Sequence, residues 1–125
     1  MDINKQIEYW INSASEDLES AELLITNKKI LHGLFLCHLC IEKSIKAHVV
    51  RYTDQVPPKS HKLSYLVGLT DLLLSEDDKN FCAILMVYQL EGRYQEYYPS
   101  IPSIEKANDY LRKTKVLHEW LKMKF

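Results

Sequence analysis

A chain of 125 residues is one domain's worth of protein, long enough to bury a single core without disulfide or metal support. Its 16 Lys and Arg are balanced by 17 Asp and Glu, a formal net charge of −1. This excludes a grip on nucleic acid through bulk positive charge, though not a local basic groove.

Only 3 glycines and 4 prolines punctuate the sequence, so helices are favoured over sheets. The first segment, Asp2 to about Asn27, carries Ile7, Trp10, Ala14, Leu18, Ala21 and Ile25 at helical spacing, with Asp2 as N-cap and Lys28 and Lys29 at the C-terminal end. Asp17 falls on the edge of its apolar stripe. After a short turn around Lys29–His32 comes the most apolar stretch, Leu34–Val50. Leu34, His38, Ile41, Ile45 and Val49 line one face, and Phe35, Leu39 and Cys40 widen it, the pattern of a buried central helix. Glu42 and Lys46 are four residues apart and share a face; if that face is buried, each charge needs the other or another partner.

Pro57 and Pro58 end this region in a loop. Ser60 can cap a third helix from His61 to about Leu74, carrying Leu63, Leu66, Val67 and Leu73 and weakened by Gly68. Ser75 followed by Glu76, Asp77 and Asp78 starts a fourth helix, which is expected to run to about Gly92 with Phe81, Ile84, Leu85 and Tyr88 inward. GRYQEYYPSIPS breaks the chain again. Pro102 and Ser103 restart it into a last helix through about Lys122. The expected fold is all-α: residues 1–125 as one domain, an up-and-down antiparallel four-helix bundle with an additional short helix.

Motifs for metal, phosphate or nucleophilic chemistry are thin. Cys37 and Cys40 lack the second ligand pair a zinc site needs and read as buried apolar residues; no metal and no cofactor is expected. There is no glycine-rich phosphate loop and no glycine-flanked nucleophile. The odd cysteine count, an N-terminus without an apolar leader and the absence of a membrane-length apolar run lead us to expect a cytoplasmic protein with no membrane partner. His61, after the proline loop, can cap or bridge. Gly92–Pro99 offers an arginine, three tyrosines and a carboxylate. Arg93 with Tyr94 and Tyr97 can hold a phosphate while rings stack on a base. Equally, Arg93 can pair with a core carboxylate such as Asp17 or Glu42 while the tyrosines fill the bundle end.

The ordered set of pieces resembles the HEPN domain family. It comprises Trp10 with Ala14-x-x-Asp17-Leu18-x-x-Ala21, Glu42-Lys43-x-x-Lys46-Ala47, His61-x-Leu63-x-x-Leu66, and Arg93-Tyr94 with Pro99 before the last helix. The resemblance implies a helical bundle assembled as a homodimer. Many bacterial members are encoded beside a minimal nucleotidyltransferase, and some such pairs act as toxin and antitoxin. Catalytic members are metal-independent RNases with an arginine and, after four to six intervening residues, a histidine. Here the corresponding positions after Arg93 are Tyr98, Pro99 and Ser100, so the dyad is missing and no catalytic residue is assigned. Arg112 and His118 have the permitted gap, but on a helix they diverge by about 240° beyond a full turn.

Two functional readings follow. One is a non-catalytic binding and assembly module for a nucleotidyltransferase partner, a nucleotide or RNA, using Arg93, Tyr94, Tyr97, Lys46 and His61. The other is a divergent RNase using Arg93 with His61 or a tyrosine. A structural expectation stands beside both: Asp17, Glu42, Lys46 and Arg93 form one buried ionic cluster.

Overall fold

The breaks in the apolar periodicity become the four connections of an all-helical fold. The computed structural model describes residues 1–125 as five α-helices and no strand. They are α1 (Ile3–Thr26), α2 (Ile30–Thr53), α3 (Leu63–Val67), α4 (Glu76–Val87) and α5 (Ile104–Met123), with one turn of 3₁₀ helix at Gln95–Tyr97.

Three of the four long helices start on the caps the sequence offers. Asp2, Ser75 and Ser103 each accept from the backbone N–H three residues on, which satisfies an otherwise unpaired donor. α1 stops in a Schellman arrangement. Lys28 sits in the left-handed region at φ 63°, its N–H bonds Ile25 O (3.0 Å), and the Lys29 N–H bonds Leu24 O (2.7 Å). The chain therefore reverses within three residues, and α2 begins at Ile30, earlier than its apolar pattern suggested. Gly33 lies close against α1: a Cβ there would stand 2.5 Å from Ile25 Cγ1.

Side-chain bonds give the helix directions. Gly33 faces Ala21 and Ile25, Lys43 reaches Ser13 and Asp17, and Lys46 lies over Trp10, so α1 and α2 are antiparallel. Ser44 meets His118, His48 meets Leu121 and Arg51 meets Lys124, so α5 runs parallel to α2. These are the directions of the first, second and fourth helices of an up-and-down bundle. α2 touches all four other helices and buries 14 of its 24 residues, whereas α1 buries three. The helix expected to be central is central because nearly its whole circumference is apolar.

Two elements are shorter than their periodicity implied. α3 covers five residues and does not reach Leu74. After Gly68, Thr70 donates its hydroxyl to Val67 O (2.7 Å) and accepts from Leu72 N (3.1 Å), replacing the next helical bonds with a local side-chain turn. In consequence Leu74 is buried and Leu73, expected to face inward, is 88% exposed. Ser60 does not cap α3 either; it accepts from Lys62 N within its own turn. α4 ends at Val87, five residues short of Gly92, because Arg93 folds back onto the carbonyls at its end.

Candidate functional site

Glu42 is the hinge of the polar architecture. It lies in the middle of α2, 3% exposed, where an ionised carboxylate has to be matched. Lys46, one turn on and 6% exposed, donates to Oε2 at 2.9 Å, and its ammonium also stands 5.4 Å from the centre of the Trp10 ring. His61 supplies the other oxygen: Nδ1 donates to Oε1 at 2.8 Å. The proline loop before α3 carries His61 back onto α2, and the buried Pro57 fixes that return.

A second histidine ties the same loop down. His38, fully buried, donates from Nε2 to the His61 backbone carbonyl at 3.0 Å. Burial pushes its pKa below the usual histidine range, against the opposing pull of the Glu42 charge. Its Nδ1 is therefore bare and faces Glu42 Oε1 at 3.8 Å without a hydrogen bond.

Arg93 comes from the other break in the chain. Leu90–Arg93 form a tight turn, with Arg93 N–H on Leu90 O (3.1 Å) and Gly92 at φ 78°, the left-handed conformation that the third position of a type II turn requires. The guanidinium then donates to Val87 O (2.9 Å), Gln89 O (3.1 Å) and Tyr97 O (2.8 Å). Three of its five N–H donors are used and two stay free. The head is exposed yet fixed in orientation.

His61 and Arg93 line one open cleft of about 560 Å³, with Lys59, Ser60, Lys62 and Gln89 as its other polar walls. Two loops thus converge on a surface bearing Lys59, Lys62 and Arg93. Tyr94 and Tyr97 are exposed beyond it, at 75% and 66%, and do not fill the bundle end. Lys46 is not in that cleft; it acts from beneath, through Glu42, on the His61 ring.

The single ionic cluster expected from the sequence resolves into three separate groups. Glu42 and Lys46 do pair. Asp17 pairs with Lys43, at 2.8 Å by distance and without an aligned hydrogen bond, because it lies two turns of α1 beyond Trp10 and so opposite Lys43. Arg93 binds backbone carbonyls and no carboxylate. His61, Lys59 and Lys62 surround the cleft, and their spacing around Pro57–Pro58 and Ser60 was the only signal for them in the sequence.

Elsewhere, the side chains that could suggest chemistry are engaged in the core. Burial raises Cys37 to about 11 and Cys82 to about 12, and drives Cys40 higher still, so all three stay thiols. His118 Nδ1 donates to Ser44 Oγ (2.8 Å), since that hydroxyl already gives its proton to Cys40 O, and Nε2 accepts from Ser15 (3.1 Å). Arg112 turns outward to Asp109, so it does not meet His118.

Four helices around a central one that is apolar over most of its surface, with a buried carboxylate–lysine pair and a basic cleft between loops, define a small helical-bundle domain. The chain belongs to the HEPN domain family, whose model matches residues 7–124. Among solved structures it is similar to TT1696 from Thermus thermophilus, with 20% identity, 96% of this chain and 98% of that one covered, and a TM-score of 0.78. It is also similar to ST0689, an archaeal HEPN homologue, with 18% identity, 94% and 96% covered, and a TM-score of 0.64. At these identities the likeness extends to the fold. No curated protein matches the sequence. No helix is long and apolar enough to cross a membrane.

Proposed function

We propose that this HEPN domain is a non-catalytic binding and assembly module of the cytoplasm, homodimeric, that holds the phosphate of a nucleotide or RNA in the cleft between His61 and Arg93. In this reading Lys59, Lys62 and Arg93 supply positive charge, and the two free N–H groups of Arg93 supply directed donors. Tyr94 and Tyr97 offer exposed rings on which a base can stack. Lys46 contributes by holding Glu42, and so His61, in place. A minimal nucleotidyltransferase is the protein partner this family membership suggests.

The observation that carries the reading is the shared cleft of His61 and Arg93, in a chain whose Tyr98, Pro99 and Ser100 stand where the family's RNase histidine belongs. Calorimetry with mononucleotides and short single-stranded RNA tests it. Wild type should bind and Arg93→Ala should not; absence of binding at millimolar ligand by the wild-type protein removes the ligand part of the proposal.

A second reading has one observation in its favour. His61 is held by Glu42 through Nδ1 and lies in the same cleft as Arg93, which is the pairing a divergent metal-independent RNase would need. Labelled RNA cleaved by wild type and spared by Arg93→Ala and His61→Ala would favour it over simple binding.

A further inference from the structure

The outer face of His61 is already met by an anion. With Nδ1 fixed on Glu42, Nε2 stands 3.0 Å from Oε2 of Glu91. The two carboxylates differ in kind. Glu42 is buried and makes an aligned hydrogen bond, whereas the Glu91 side chain is 61% exposed and contacts the ring by distance alone. Glu91 is carried on the same Leu90–Arg93 turn as Arg93 and reaches the His61 ring, so one turn supplies both a guanidinium that lines the cleft and a carboxylate that meets one of its walls. Lys59, Lys62 and Arg93, which line the cleft with His61, have no acidic partner within ion-pair distance, and the one exposed carboxylate in contact with a cleft residue is Glu91, on His61.

We propose that Glu91 is an internal stand-in for a ligand phosphate. In the free protein its carboxylate occupies the outer face of His61; a phosphate oxyanion entering the cleft displaces it and takes its place beside Nε2 of the doubly protonated His61 ring, together with the free N–H groups of Arg93. The inference rests on the cleft being the phosphate site of the preceding reading. It adds that the site is self-occupied and that affinity is held down by a tethered competitor at high effective concentration. The contact is exposed and poorly aligned, as a displaceable group has to be; an exposed ion pair of this kind is weak.

Isothermal titration calorimetry on the full chain, using AMP and a single-stranded RNA hexamer as separate probes, compares wild type, Glu91→Gln, Glu91→Ala and Arg93→Ala. Circular dichroism checks that each variant is folded. Both Glu91 variants should bind about 1.5- to fivefold more tightly than wild type, the range over which an exposed ion pair can compete. If wild type binds in an Arg93-dependent way and neither Glu91 variant gains affinity, the displacement idea is overturned and the cleft reading survives. If neither wild type nor the Glu91 variants bind either probe, both are overturned. A gain with AMP alone assigns the site to a terminal phosphate, and a gain with the hexamer alone assigns it to the diester backbone.

Discussion

Glu42 Oε1 and His61 Nδ1 are 2.8 Å apart, although the first sits in the interior of α2 and the second on a loop beyond two prolines. This bond joins the core to the cleft: Lys46 balances Glu42 from within, and the ring it orients forms a wall outside. Disturbing the buried end should therefore be read at the exposed end.

Lys46→Ala leaves Glu42 buried with only His61 to offset its charge. Losing one member of a buried pair costs about 3–5 kcal/mol, and the remaining His61 bond puts the expected loss near the low end. Lys43→Ala is the control. Its pair with Asp17 is about a fifth exposed on each side, so the expected cost is smaller, between the about 1 kcal/mol of an exposed pair and the about 3 kcal/mol at the low end for a buried one. Urea unfolding of the two variants, with equal m-values, gives the comparison. Similar losses in both would show that the Glu42–Lys46 pair is not the special one.

Arg93→Lys keeps a positive charge and loses the fork that joins Val87, Gln89 and Tyr97. These carbonyls lie near solvent and can be hydrated, so stability should fall by only about 1 kcal/mol. The segment 94–98 should become more open to limited proteolysis, and ligand binding should weaken by about tenfold or more, as loss of a charge-assisted fork implies. Unchanged binding in this variant would mean that charge alone, and not the fixed guanidinium, matters in the cleft.

Acid should destabilise the fold. His38, His48 and His118 all have pKa values lowered mainly by burial, so in the native state they resist protonation. The unfolded chain takes up these protons around pH 6.5, where free histidine titrates. Below that pH the unfolded state binds more protons than the native one, and stability falls as pH falls, by up to about 1.4 kcal/mol per pH unit for each ring. The loss ends only below the folded-state pKa values. Thermal melts between about pH 7.5 and 5.5, the range that brackets free histidine, should show it, with a shallower slope in His118→Gln.

Gly33→Ala should cost about 1–3 kcal/mol, because the added methyl would stand 2.5 Å from Ile25 Cγ1 and 3.2 Å from Ala21 O. α1 and α2 would have to separate there. A melting temperature equal to that of wild type would mean that Ile25 can turn aside.

Lys28→Gly should act in the opposite sense. Lys28 holds a left-handed φ of 63°, which costs a residue with a Cβ about 1–2 kcal/mol and glycine nothing. Part of that gain is returned through the greater freedom of glycine in the unfolded chain, so the expected net stabilisation is a few tenths of a kcal/mol to about 1 kcal/mol. Chemical denaturation with an unchanged m-value measures it.

The starts of α1, α4 and α5 and the central position of α2 were determined by the sequence alone, because both depend on near-neighbour chemistry. A hydroxyl or carboxylate at Asp2, Ser75 or Ser103 bonds an N–H three residues away, and an apolar circumference from Leu34 to Val50 has to be covered. The Glu42–Lys46 pair was legible for the same reason, at one turn of a single helix. The ends of α3 and α4 were not, since the stop of α4 at Val87 is decided by Arg93 and that of α3 by Thr70, side chains beyond the elements they terminate. The partners of Asp17 and Arg93 and the meeting of His61 with Glu42 and Glu91 were decided only in the tertiary structure. Opposite charges far apart in a chain can pair in many ways, and the choice among them is made by helix register and loop return, which carry no local pattern.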